Sequence, residues 1–70
     1  MKQIYVFTDT AKNFTPRALM IAYTRQSPEA LYDFGPYGEL FLLMAGKAYR
    51  YHHWEIGDGL VILTLEEVKQ

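Results

Sequence analysis

Residues 49–55, Tyr-Arg-Tyr-His-His-Trp-Glu, bring aromatic, cationic, imidazole and carboxylate side chains together in one short segment. In a regular strand, alternation assigns these side chains and that of the following residue, Ile56, to two opposite faces. One face holds Tyr49, Tyr51, His53 and Glu55, and the other holds Arg50, His52, Trp54 and Ile56. Since tryptophan carries the larger apolar area, we expect the Trp54 face to be buried and the tyrosine row to face solvent.

The exposed row has two interpretations. The simpler one is that the tyrosines cover one side of a small core while their hydroxyl groups remain in water. The other is a contact surface, because Tyr, Trp and Arg are enriched where proteins bind one another. The predicted partner-binding residues are Tyr49, Arg50, Tyr51, His53, Trp54 and Glu55.

Metal binding and catalysis have little support in the sequence. His52 and His53 point to opposite faces of a regular strand, and the chain has no cysteine and no third histidine. Ser27, the one serine, precedes Pro28 as a helix cap would. His53 and Glu55, with Tyr51 and Arg50, resemble the acid, base and phosphate-holding groups of a small ribonuclease. We predict no metal, no cofactor and no catalytic residue, and keep the ribonuclease as an unfavoured alternative.

Single-stranded nucleic acid is the stronger alternative partner. Bases stack on aromatic rings without needing a strongly basic protein, and Tyr49–Trp54 would offer such rings beside an arginine. However, Glu39, Glu55 and Asp58 would lie near the same hairpin and repel phosphates.

Length and charge narrow the possibilities further. Seventy residues, with seven Lys and Arg against eight Asp and Glu, predict one domain over residues 1–70 without the basic excess of a duplex-DNA binder. The lack of cysteine excludes disulfides. No apolar run approaches the roughly 20 residues that a transmembrane helix needs, so we expect a cytoplasmic protein.

The first half of the chain predicts one strand clearly and one helix with competing positions. Ile4–Phe7 is β-branched and aromatic with apolar side chains on both faces, which favours a central strand, and a polar connection follows at residues 9–13. Residues 18–25 are typical of a strand that leads into a short helix at 28–34, with Ser27 as cap and Pro28 in the first turn. Thr15-Pro16 is a competing helix start.

The second half favours hairpins. Residues 35–38 form a turn cluster, and Glu39–Ala45 followed by Gly46-Lys47 favours a strand and a tight turn. The clearest hairpin joins residues 49–56 to 60–65 through Gly57-Asp58-Gly59. We therefore predict an α+β domain, a mainly antiparallel sheet of about five strands with one short helix. The alternative makes residues 16–26 or 38–48 helical and leaves three strands.

These observations favour a non-enzymatic protein-binding module. Strands with two apolar faces are hard to cover with one short helix in 70 residues, so a second chain, a homodimer included, is expected to cover them. Small, cysteine-free chains of this kind also fit an inhibitor encoded by a phage or another mobile element. Such an inhibitor would occlude a larger host enzyme or a nucleoprotein defence complex.

Overall fold

A computed structural model describes residues 1–8 and 14–69. Five strands and one helix follow the chain in the order β1 (Lys2–Phe7), α1 (Pro16–Gln26), β2 (Leu31–Phe34), β3 (Leu40–Met44), β4 (Lys47–Ile56) and β5 (Leu60–Val68). All strand pairs are antiparallel, and the sheet order is β1-β5-β4-β3-β2. The predicted α+β class is confirmed. The connection predicted at residues 9–13 lies outside the described residues.

The helix position was predicted wrongly. The sequence favoured a strand at 18–25 and a helix at 28–34, whereas α1 begins at Pro16 and residues 31–34 form a strand. The hydroxyl of Thr15 accepts a hydrogen bond from the N–H of Ala18 at 3.2 Å, so the competing Thr15-Pro16 cap is the one in use. The segment from Pro28 to Gly35 is too short for its helical hydrogen bonds to offset the free-energy cost of helix nucleation. Pairing with β3 stabilises an extended chain there instead.

The helix covers one face of the sheet. Leu19, Met20 and Ala22 of α1 are buried. They pack with alternate residues of the strands, including Ile4 and Val6, to form the core. Because β1 and β2 lie at opposite edges, α1 carries the chain across the whole sheet. Of the described residues, no helix is long and apolar enough to cross a membrane.

β1 lies at an edge of the sheet, which corrects its predicted central place with both faces covered. Ile4 and Val6 are buried, whereas Tyr5 and Phe7 on the other face are about half exposed, at 48% and 55%. Its place was missed because β1 pairs with β5, the last strand in the chain, and local sequence does not encode that pairing.

Both hairpins predicted in the second half are present. β3 and β4 meet at Ala45 and Gly46, which both have positive φ, at 55° and 74°, as a two-residue hairpin turn of the primed type requires. β4 and β5 join at Gly57–Gly59, where the N–H of Gly57 donates to the carbonyl of Leu60 at 2.7 Å. These turns set the register that positions residues 49–55.

Candidate functional site

A β-bulge in β4 decides where the side chains of residues 49–55 lie. Tyr51 pairs with Leu65 and His53 with Thr64, so β4 carries one extra residue, His52, against β5. The extra residue reverses the alternation, and Trp54 therefore returns to the face that holds Tyr49 and Tyr51. The predicted separation of the tyrosines from Trp54 is corrected for this reason.

The tyrosine row lies toward the helix rather than toward solvent. Tyr49 is 7% exposed and belongs to the core, with the Lys2 ammonium over its ring at 5.7 Å from the centroid. Tyr51 packs against the same core, and partial burial raises the pKa of its hydroxyl. Trp54 was expected on the core side and does pack there, its ring 5.8 Å from that of Phe14 in an edge-to-face contact. The six predicted residues thus do not form one surface.

The other predicted residues share the uncovered face of the sheet, which we call the open face. Register and burial assign to it Gln3, Tyr5, Phe7, Leu31, Asp33, Phe41, Leu43, Ala48, Arg50, His52, His53, Glu55, Leu60, Ile62, Thr64, Glu66 and Val68. None of the described elements packs over this face. Five strands at about 4.8 Å spacing make it roughly 20–25 Å wide.

A polar group occupies the middle of the open face. The carboxylate Oε1 of Glu66 accepts a hydrogen bond from Nη2 of Arg50 at 2.8 Å and lies 3.2 Å from Nε2 of His52. The hydrogen bonds from His52 and Arg50 hold the pKa of Glu66 below its ordinary value. His52 reaches Glu66 only because the bulge turns it to this face, which the alternation argument missed.

Apolar side chains lie at two diagonally opposite corners of the open face. Tyr5, Phe7, Leu60 and Ile62 are cross-strand neighbours at the first corner. Leu31, Leu43, Ala48 and Val68 adjoin one another at the second. The signal for both corners was in the sequence, because β1, β3 and β5 carry apolar side chains on both faces and one helix can cover only one face of the sheet.

The described residues hold no cluster typical of a metal centre. Among the described residues, no three His, Cys, Asp or Glu side chains lie close enough to hold a metal ion. Three of the surface concavities formed by described residues involve the β3–β4 turn or the strand ends near Glu67, and the His52–Glu66 pair lines none of these three. Comparison with protein-family models, with curated proteins and with solved structures gave no match.

Acid is expected to weaken the contribution of Glu66 to stability. Hydrogen bonds from His52 and Arg50 lower its folded-state pKa, so the ionised carboxylate stabilises the native state above the ordinary pKa of an unfolded-chain glutamate. That contribution disappears as pH falls through the lower, folded-state pKa. In thermal scans, the melting temperature of the wild type should therefore fall further between neutral pH and about pH 3 than that of Glu66→Gln.

The matched control for this prediction is Glu55→Gln. It removes a carboxylate from the same face that forms no ion pair with the described residues. This variant should follow the acid dependence of the wild type more closely. Superimposable pH profiles of the wild type and Glu66→Gln would refute the prediction.

Proposed function

We propose that this chain is a non-enzymatic protein-binding module and that the open face is its recognition surface. The observation that carries the proposal is the half exposure of Tyr5 and Phe7 on a sheet face that no described element covers. Contiguous exposed apolar side chains bordered by polar ones are typical of protein interaction sites. Of the residues predicted from sequence, Arg50, His53 and Glu55 belong to this surface.

The charges favour a protein over a nucleic acid as partner. Asp33, Glu55 and Glu66 lie on the open face, and its one arginine, Arg50, already donates to Glu66. Phosphates would meet more negative than positive charge there. The nucleic-acid and ribonuclease alternatives also lose support because Tyr49 is buried and Arg50 is engaged. A partner with an apolar patch and a basic group opposite Glu55 would complement this face best.

The proposal extends to the biological role. The chain acts as an inhibitor, made by a phage or another mobile element, that occludes a larger host enzyme or nucleoprotein defence complex in the cytoplasm. Its support is the balanced charge and the absence of a metal-binding cluster among the described residues. Capture of the tagged protein from host lysate, with and without nuclease, identifies the partner and separates a protein from a nucleic-acid bridge.

Direct binding to the purified partner then tests the surface. Phe7→Ala removes an exposed ring from the open face, and we expect it to weaken affinity at least about tenfold, as hot-spot truncations do. Ile56→Ala is the matched control, because Ile56 is also well exposed but lies on the helix side. Titration calorimetry measures both. If Ile56→Ala weakened binding while Phe7→Ala did not, the open face would be the wrong surface.

A further inference from the structure

The two edges of the sheet differ in how their backbone groups are satisfied. On β1, the outward-facing backbone groups belong to Gln3, Tyr5 and Phe7. The side chain of Gln26, at the end of α1, accepts from the N–H of Phe7 at 3.0 Å and donates to the carbonyl of Tyr5 at 3.1 Å. One amide group thus bonds two of these outward-facing groups, as a neighbouring strand would. Covering an edge in this way protects it from pairing with another chain.

The β2 edge has no such cover. Gly35 donates its N–H to the carbonyl of Glu39 at 2.8 Å, so the alternation turns the backbone groups of Tyr32 and Phe34 outward. The N–H of Phe34 is taken by the carboxylate of Asp33 at 2.8 Å. Within residues 1–8 and 14–69, nothing bonds the outward N–H and C=O of Tyr32. All four side chains of β2 are exposed.

We propose that a second copy of this chain pairs with β2, antiparallel, about a twofold axis at Tyr32. Two antiparallel residues that face each other can exchange both N–H···O=C bonds, and Tyr32 offers one donor and one acceptor. The twofold axis lets the two copies of Tyr32 satisfy each other. This register places Leu31 opposite Asp33 of the second copy, whereas an axis at Asp33 would set two carboxylates directly opposite.

Side-chain exposure at this edge supports a second copy as the occupant. Leu31 is 63% exposed on the open face, and pairing would bring it against the partner strand. On the helix side, the Tyr32 and Phe34 rings pack edge to face, and pairing would place the same cluster of the second copy beside them. The identical patch is used by both copies, as a twofold interface requires.

The partly covered β1 edge favours pairing through β2 over pairing through β1. Joining two copies through β2 makes one ten-stranded sheet whose outer edges are both β1. On each outer edge Gln26 already bonds the carbonyl of Tyr5 and the N–H of Phe7, so a third copy would have to displace it. The dimer would present two open faces side by side, which offers the proposed partner a bivalent surface.

Cysteine cross-linking tests both the dimer and its register, because the chain has no native cysteine. In the proposed pairing the two Tyr32 Cα atoms lie about 5.5 Å apart, within disulfide range. Tyr32→Cys should form a covalent dimer under mild oxidation. Phe34→Cys is the matched control, since its two copies would lie roughly 13 Å apart along the strands. We expect at least tenfold less cross-linking from it.

A second measurement avoids dependence on one variant. In analytical ultracentrifugation over a roughly hundredfold concentration range, the wild type should shift from monomer to dimer by mass action. Leu31→Asp should shift that equilibrium toward monomer without loss of the circular dichroism of the fold, because Leu31 is exposed. Equal cross-linking by Tyr32→Cys and Phe34→Cys, or a wild type that stays monomeric throughout, would overturn the proposal.

Discussion

Deletion of His52 is expected to leave the domain folded, whereas deletion of Thr64 from the paired strand is expected to unfold it. His52 is the extra residue of the bulge, so its removal restores regular alternation between Tyr51 and Trp54 and leaves both on the helix side. The deletion also removes the hydrogen bond between His52 and Glu66, which is exposed to solvent. We expect a cost of at most about 1 kcal/mol, the usual net value of one hydrogen bond.

Thr64 has no such freedom. It separates Leu63 from Leu65, which are both fully buried on the helix side of β5. Without Thr64, one half of β5 must turn its side chains to the other face, or its ladders to β1 and β4 must break. The free-energy cost of either rearrangement exceeds the roughly 3–5 kcal/mol of stability that a core of this size supplies.

Circular dichroism and urea denaturation of the two deletion variants measure this difference. A cooperative unfolding transition is expected for the His52 deletion and none for the Thr64 deletion. The Thr64→Ala variant separates loss of the side chain from loss of register, because it keeps the chain length and should still fold. An unfolded His52 deletion would show that the bulge itself, rather than the face of each side chain, holds the sheet together.

The same bulge explains what the sequence could predict of the candidate site. The β4–β5 hairpin was predictable, because the Gly57–Gly59 loop lies between two strand-like runs. The face of Tyr49 was not, since alternation is a local rule and one inserted residue reverses it. Nothing in the order of residues 49–55 indicates that His52 is the inserted one. Its identification requires the pairing with β5, which is a tertiary property.

The helix was missed for a different physical reason. Thr15-Pro16 and Ser27-Pro28 are both good helix starts, and local propensity does not choose between them. The choice depends on which segment can bury a face against the sheet, and α1 does so through Leu19 and Met20. By contrast, the open face was indicated by the excess of apolar strand positions over what one helix can cover. That excess is a property of total surface and does not depend on exact element bounds.

Leu63→Ala is expected to abolish the folded state, whereas Ile62→Ala, one residue away, is expected to retain it. Leu63 is fully buried on an interior strand of the sheet, paired with Ile4 on one side and Trp54 on the other. Truncating a buried leucine costs about 2–5 kcal/mol, which is comparable to the whole stability of so small a domain. Ile62 lies on the open face and is only partly buried, so its truncation should cost about 1 kcal/mol or less.

Thermal and urea unfolding of these two variants distinguish the face of β5 that stabilises the fold from the face that is available for binding. If the open face were a second core that a partner must complete before the chain folds, Ile62→Ala would destabilise the isolated domain as much as Leu63→Ala. If the helix side alone holds the fold, Ile62→Ala should unfold cooperatively near the wild type and lose affinity for the captured partner. The apolar residues on the open face of β5 would then contribute mainly to recognition, while those on the helix side hold the chain together.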